Sequence, residues 1–257
     1  MSQQGAAQRV LVTGGAKGVG RGITQAFLRA GAEVVICGRE APAEPVADGG
    51  RAAGFIACDV RDTAAVDALF AQIEQRLGGL DVLVNNAGGA PFAMADTASP
   101  RFHEKIFALN LLAPFHLAQK ANALMQRQDR GGVIEFVGSV SALRPSPGTA
   151  AYGASKAAVL SLVQSLAVEW APKVRVVGVS PGPVRTELSE LHYGDEAGVA
   201  AVAKTIPLQR LAEPADIGAA CVWLASDAAA YVSGTNLMLH GGGERPAFLD
   251  AANVNKS

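Results

Sequence analysis

Short, nearly unbroken runs of β-branched and other apolar residues alternate along the chain with longer stretches in which apolar residues recur at helical spacing. The runs are Val10–Thr13, Glu33–Cys37, Gly54–Cys58, Asp81–Asn85, Val133–Val137, Val174–Val179 and Asn236–His240. A strand with one face in water alternates apolar with polar positions, whereas a near-continuous run is what a strand buried on both faces looks like. Helix-sized segments lie between them, at Gly20–Ala30, Ala64–Leu77, Arg101–Leu112 and Ser155–Ala171. Strand–helix alternation predicts parallel pairing through right-handed crossovers. The expected fold is therefore α/β: a doubly wound, seven-stranded parallel sheet flanked by helices on both faces. No Pro/Ser-rich linker and no repeat interrupts the pattern. One domain is expected over residues 9–243, between a polar N-terminal tail (1–8) and an irregular C-terminal tail (244–257).

Composition narrows the function classes. With 257 residues, 49% of them hydrophobic, the chain is long enough to bury a large core. No apolar run approaches the roughly 18 residues of a membrane span, and the polar start Met1 to Gln8 lacks the apolar core of a secretory signal. A net charge of −1 with both signs scattered gives no electrostatic case for nucleic acid or an anionic membrane. Cys37, Cys58 and Cys221 are too far apart for a metal knuckle and read as small buried hydrophobes in a reducing compartment, so a cytoplasmic location is expected. The four histidines, at 103, 116, 192 and 240, share no ligand spacing, and no metal site is expected.

The first strand runs straight into Thr13-Gly14-Gly15-Ala16-Lys17-Gly18-Val19-Gly20, with a helix after it. Glycines there let backbone amides approach a pyrophosphate, and the helix N-terminus presents the positive end of its dipole. The carboxyl end of the second strand should meet the adenosine ribose, where an acid favours NAD and an arginine tolerates the 2′-phosphate of NADP. Glu33 is at the wrong end of that strand, while its far end carries Gly38-Arg39. Arg39 offers a planar fork suited to phosphate, and Lys17 a second cation. The reading favours NADP(H); NAD(H) stays open, with Glu40 as a rival ribose ligand.

Tyr152-Gly153-Ala154-Ser155-Lys156 opens a long apolar helical stretch. Four residues apart on a helix, Tyr152 and Lys156 share one face. Carbonyl reduction needs a proton donor beside the oxygen, and alcohol oxidation needs the same group as base. Free tyrosine titrates near pH 10; a nearby ammonium and a positive nicotinamide ring would favour its phenolate. Ser139, at the end of the Val133–Val137 strand where ligands of such sheets bind, can hold the substrate oxygen. Ser141 is a rival of the same parity.

Over roughly residues 9–243 the chain resembles the short-chain dehydrogenase/reductase family, in its compact single-domain branch with a Rossmann-type sheet. The resemblance is carried by Thr13-Gly14-x3-Gly18-x-Gly20, Asp59, Asn85-Asn86-Ala87-Gly88, Asn110, Ser139, Tyr152-x3-Lys156 and Pro181-Gly182. It implies that Gly14, Lys17, Gly18, Val19 and Gly20 hold the cofactor, that Asp59 bonds the adenine amino group with Val60 adding a backbone contact, and that Asn86, Ala87 and Gly88 pass beside the adenosine ribose. It further implies that Lys156 bonds the nicotinamide ribose, that Asn110 holds a water completing a proton relay from Lys156, and that Pro181, Gly182, Val184 and Thr186 seat the nicotinamide amide. The activity implied is hydride transfer between NADP(H) and a carbonyl or secondary alcohol, with Asn110, Ser139, Tyr152 and Lys156 as the catalytic set.

Glu135 and Gly138 depart from the small polar residues usual in that family, Gly178 from the usual asparagine or alanine, and His240 from a frequent aspartate. The segment 187–207 corresponds to the family's substrate lid; its Leu188, Leu191, Val199, Val202 and Ile206 point to an uncharged or partly apolar substrate. The resemblance also implies a homotetramer, or a dimer, built on the helices carrying Asn110 and Lys156 and on the C-terminal strand. Two other classes compete. A nucleotide-binding regulator without chemistry would not need the Asn110, Ser139, Tyr152 and Lys156 set, and a lyase or epimerase would need a larger C-terminal substrate domain.

Overall fold

A computed structural model describes residues 7–251, so 1–6 of the expected N-terminal tail and 252–257 of the C-terminal one lie outside the described residues. Seven strands form one sheet: β1 (Arg9–Thr13), β2 (Glu33–Gly38), β3 (Gly54–Ala57), β4 (Val82–Asn85), β5 (Gly132–Val137), β6 (Val174–Pro181) and β7 (Asn236–Leu239). Every neighbouring pair is parallel, in the order β3-β2-β1-β4-β5-β6-β7. The order reverses between β1 and β4, which opens a crevice beyond their carboxyl ends. A short hairpin pairing Ala47–Asp48 with Arg51–Ala52 has no signal in the hydrophobic pattern.

Two apolar layers cover the sheet, and alternation along each strand decides which layer a residue joins. Val10 and Val12 pack with Ile23 and Phe27 of helix α1 (Gly18–Arg29) and Ile217 and Cys221 of α8 (Pro214–Leu224). Leu11, between them, packs with Leu69 and Ile73 of α2 (Thr63–Leu77), Leu117 and Met125 of α4 (Ala113–Arg127) and Val159 and Val163 of α5 (Ala150–Glu169). Burying one such side chain contributes roughly 1.5–3 kcal/mol.

Helix boundaries follow local chemistry. Asp62 caps α2 by accepting from the amides of Ala64 and Ala65, and Gly78, at φ 70°, ends it. Helix α5 begins at Ala150, five residues before the predicted start, so both Tyr152 and Lys156 lie inside it. The helix expected over Arg101–Leu112 divides into α3 (Pro100–Phe107) and a π-helical turn, Ala108–Leu112, leading directly into α4. Pro114 has no N–H to offer the preceding turn, and its ring conflicts with the carbonyl four residues back. The wider π turn fits this constraint, and Asn110 within it is fully buried. The segment 187–207 holds two helices, α6 (Ser189–Tyr193) and α7 (Glu196–Thr205). The stretch after Gly243, read as irregular, contains a short helix, Phe248–Ala251.

One residue breaks the apolar pattern of β5. Glu135 shares parity with Val133 and Val137, is fully buried, and neither carboxyl oxygen has a hydrogen-bond partner. Burial pushes its pKa from 4.5 up to about 8, a rise only partly opposed by the adjacent Cys221 thiol and by Arg175. The folded chain thus holds this proton more tightly than the unfolded one, and stability falls as pH rises from about 4.5 to about 8. Glu135→Gln should raise the melting temperature at pH 8, by an amount corresponding to a few kcal/mol, and change it little at pH 4.5. Thermal unfolding at both pH values checks this; an equal shift at both would show that the carboxyl is not protonated in the fold.

Candidate active site

The loop between β1 and α1 is held by its own side chains. Gly14 takes φ 64°, and a Cβ on Gly20 would run into the Gly14 carbonyl oxygen, so the helix can approach the loop only with glycine there. Across the sheet's reversal point, the Thr13 hydroxyl oxygen accepts from the amides of Asn86 (3.0 Å) and Ala87 (2.9 Å). The Asn86 side-chain amide donates back to the carbonyls of Thr13 (2.9 Å) and Gly14 (3.3 Å). Asn86 therefore locks the ends of β1 and β4 together.

Beyond these ends lies a cleft of about 700 Å3. Gly14, Lys17, Gly18, Val19 and Gly20 line it from the loop, and Asn86, Ala87 and Gly88 from the end of β4. Ser139, Tyr152 and Lys156 line it from β5 and α5, and Pro181, Gly182, Val184 and Thr186 from the end of β6. Four predicted residues stand apart from this lining. Arg39 follows β2 on the surface, Asp59 is ion-paired with Arg61, the Val60 side chain belongs to the core, and Asn110 is buried behind the cleft.

At one end three polar side chains converge. The Ser139 hydroxyl lies close enough to the Tyr152 phenol to oppose the rise of its pKa, and it accepts from the Ser141 amide at 3.1 Å. Of the two serines considered for this place, Ser139 is the one against the tyrosine, while Ser141 sits in the following 3-10 turn. The Lys156 Nζ lies 5.6 Å from the centre of the Tyr152 ring and donates to the Val137 carbonyl at 2.7 Å. Asn110 accepts from the Gly89 amide at 2.8 Å and donates to the carbonyls of Gly89 and Ile106. Its side chain thus straps the Gly88–Gly89 turn. A Cβ on Gly88 would lie 2.7 Å from the Asn110 Oδ1 and 3.5 Å from the Lys156 Nζ, so amide and ammonium meet at that glycine.

Electrostatics differ from the expectation in one respect. Burial pushes the Tyr152 phenol above 10, with the Ser139 hydroxyl pulling the other way, and Lys156 does not lower it. The ammonium is itself disfavoured by burial, which brings Lys156 down to about 8. In the protein alone the phenol is a proton holder, not a poised phenolate.

Two residues near the cleft had no signal in the sequence motifs. Glu187, at the start of the segment before α6, accepts from the Gly18 amide at 3.0 Å. Its carboxylate sits on the N-terminus of α1, the position at which an anion is best accommodated. The helix terminus thus accommodates an oxyanion. Arg61 is the second, engaging both oxygens of Asp59 at 2.9 and 2.6 Å. His240 packs against Gly182 from the end of β7, its Cβ 2.9 Å from where a Cβ on that glycine would be. Among the described residues no cluster of three or more His, Cys, Asp or Glu could hold a metal, and no helix is long and apolar enough to cross a membrane.

A nucleotide-sized cleft at the reversal point of a parallel sheet, ending in a serine, a tyrosine and a buried lysine, defines an NAD(P)-dependent oxidoreductase acting on CH–OH or C=O groups. The family model described as enoyl-(acyl carrier protein) reductase matches residues 14–244, and the chain belongs to the short-chain dehydrogenase/reductase family. It is 34% identical to 3beta-hydroxysteroid dehydrogenase 1 of Eggerthella lenta, over 91% of this chain and 92% of the relative. It is 35% identical to L-rhamnose 1-dehydrogenase (NAD(P)(+)) of Azotobacter vinelandii, over 91% and 95%. The ligand-free structure of Thermoplasma acidophilum aldohexose dehydrogenase superposes with a TM-score of 0.87 at 29% identity, covering 98% of this chain and 97% of that one.

Because Glu187 and a pyrophosphate would use the same amide, Glu187→Gln should tighten NADPH and NADH binding alike, by about two- to fivefold, the scale of one charge at a helix terminus. Fluorescence titration measures it; weaker binding would mean that the carboxylate helps to hold the nucleotide.

Proposed function

We propose that this enzyme transfers hydride between NADP(H) and an uncharged carbonyl or secondary alcohol, with Tyr152 as general acid/base. The observation that carries this reading is the convergence of Ser139, Tyr152 and Lys156 on one end of the cleft that holds the glycine loop, with the Lys156 ammonium 5.6 Å from the centre of the Tyr152 ring. The nicotinamide supplies or accepts the hydride. Ser139 holds the substrate oxygen, and Tyr152 gives that oxygen its proton on reduction or removes it on oxidation. A phenol raised by burial favours the protonated form, which suits the reductive direction at neutral pH. Lys156 bonds the nicotinamide ribose, and Asn110 completes the relay behind it. The loop residues Gly14, Lys17, Gly18, Val19 and Gly20 take the pyrophosphate. Asn86, Ala87 and Gly88 take the adenosine ribose, Asp59 and Val60 the adenine, and Pro181, Gly182, Val184 and Thr186 the nicotinamide amide.

Support for NADP(H) comes from Arg39, an exposed cation at the carboxyl end of β2. Steroid and sugar dehydrogenases among the relatives, together with the exposed Leu188 and Leu191 of segment 187–207, favour an uncharged and partly apolar substrate. The same segment acts as the lid within a single domain. Assembly as a homotetramer, or a dimer, draws on α5, which is apolar around its circumference and leaves Val168 81% exposed, and on Leu112 beside α4. Three buried free cysteines suit a cytoplasmic, reducing environment.

Purified protein titrated with NADPH and NADH, then supplied with a panel of small carbonyl compounds, tests the reading; binding of neither cofactor would overturn it. Tyr152→Phe should lower turnover roughly 100-fold or more with cofactor binding retained, measured by steady-state kinetics, and undiminished turnover would remove Tyr152 from the chemistry. Arg39→Asp should move preference from NADPH towards NADH; an unchanged ratio of dissociation constants would assign the 2′-phosphate to another residue.

A further inference from the structure

The carboxyl ends of β2 and β3 bring three charges together. Gly38 pairs with Ala57, and the Cys58 amide donates to the Gly38 carbonyl at 2.8 Å. Continuing that register sets Arg39 alongside Cys58 and Asp59. Asp59 is the nearest acid in the β3 turn, and an arginine beside a carboxylate ordinarily closes on it as a two-pronged pair. Here that pairing is already taken. The Arg61 Nε donates to Asp59 Oδ1 at 2.9 Å, its Nη2 to Oδ2 at 2.6 Å, and its backbone amide to Oδ1 at 3.1 Å. Both cations hold the Asp59 carboxyl low, at about 2, with Arg61 dominant and Arg39 the smaller influence. Among the described residues Arg39 makes no hydrogen bond or ion pair of its own.

We propose that Arg61 is a positioning residue for cofactor choice: by saturating Asp59 from within the same turn, it leaves the Arg39 guanidinium unpaired and available to a ribose 2′-phosphate. The inference rests on the reading of Arg39 given above and adds the residue that keeps it free. With Arg61 removed, the Asp59 carboxylate would draw in Arg39. The same edge would then present a neutralised pair, no longer selective for a phosphate over a hydroxyl. With Asp59 removed instead, Arg39 loses nothing, because it was not paired to begin with. The two partners of one ion pair therefore have unequal effects on cofactor choice, only the loss of Arg61 lowering the preference for NADPH, which a merely structural bridge would not produce.

The test measures dissociation constants for NADPH and NADH by fluorescence titration on the full-length protein, comparing wild type, Arg61→Ala, Asp59→Asn and the double variant. Arg61→Ala should lower the preference for NADPH at least fivefold, chiefly through weaker NADPH binding. Asp59→Asn should leave the preference at or above the wild-type value, even if both cofactors bind more weakly. The double variant should recover the wild-type preference, since no carboxylate remains to capture Arg39. Equal losses for both cofactors in Arg61→Ala, or a double variant as unselective as the single one, would overturn the proposal. A wild-type protein that itself prefers NADH would overturn the Arg39 reading along with it, and is told apart because the ratio is low before any substitution. Should the alanine variant fail to fold, Arg61→Lys keeps the charge but loses the fork, and should give an intermediate preference; a wild-type ratio there would count against the proposal.

Discussion

Parallel pairing makes β1 and β4 end side by side while the chain leaves them in opposite directions, and the cleft exists only because that divergence is held at a fixed width. Thr13 and Asn86 hold it. The Thr13 hydroxyl takes two amides from the turn after β4, and the Asn86 side chain returns a hydrogen bond to each of two carbonyls at the end of β1. These groups lie at the edge of the core, where losing a partner would leave polar atoms unsatisfied at a cost of about 1–3 kcal/mol each. The Asn110 strap on the Gly88–Gly89 turn extends the same fixation towards Lys156. Geometry at the catalytic end thus depends on hydrogen bonds two strands away.

What could be read from the sequence was whatever is encoded locally. The seven runs become seven strands, the central ones because burial on both faces leaves no polar alternation, while the edge strands β3 and β7 are partly exposed; only the ends of the runs shift, by one or two residues. The glycine loop and the Tyr152–Lys156 spacing are likewise properties of neighbours in the chain. The structure adds what depends on distant partners. Glu187 reaches Gly18 across 169 positions, and no spacing rule connects them. The π turn at Asn110 is a negotiated outcome of Pro114 meeting a helix that packing will not allow to end. Burial decides the phenol of Tyr152 as well, and burial is a property of the assembled layers. Arg61 is two residues from Asp59, close enough to be legible, yet adjacency does not say that both carboxylate oxygens are engaged.

Two ionisable groups lie in the sheet's interior near the end of β5, and the fold treats them in opposite ways. Lys156 keeps a partner, the Val137 carbonyl, and borders the cleft, so its charge persists to about pH 8. Glu135, two residues before that carbonyl, has no hydrogen-bond partner and stays neutral over the same range. The two side chains belong to opposite layers of the sheet: Glu135 lies on the side of Cys221, and Lys156 comes from α5 on the other side.

The N-terminus of α1 gives the cleft its other fixed charge preference. Its Gly18 amide is engaged by a carboxylate from the first residue of the segment that runs over the cleft. Pyrophosphate and Glu187 are both anions and cannot share one amide without strong repulsion. A pyrophosphate seated at this amide, as proposed, would require the carboxylate to leave, and Glu187 is continuous with Leu188 and α6. The position of that segment would then depend on the occupant of the helix terminus, through a single hydrogen bond. A neutral side chain at 187 would cut the link while leaving the loop's other hydrogen bonds, to β2, to Asn86 and within α1, in place.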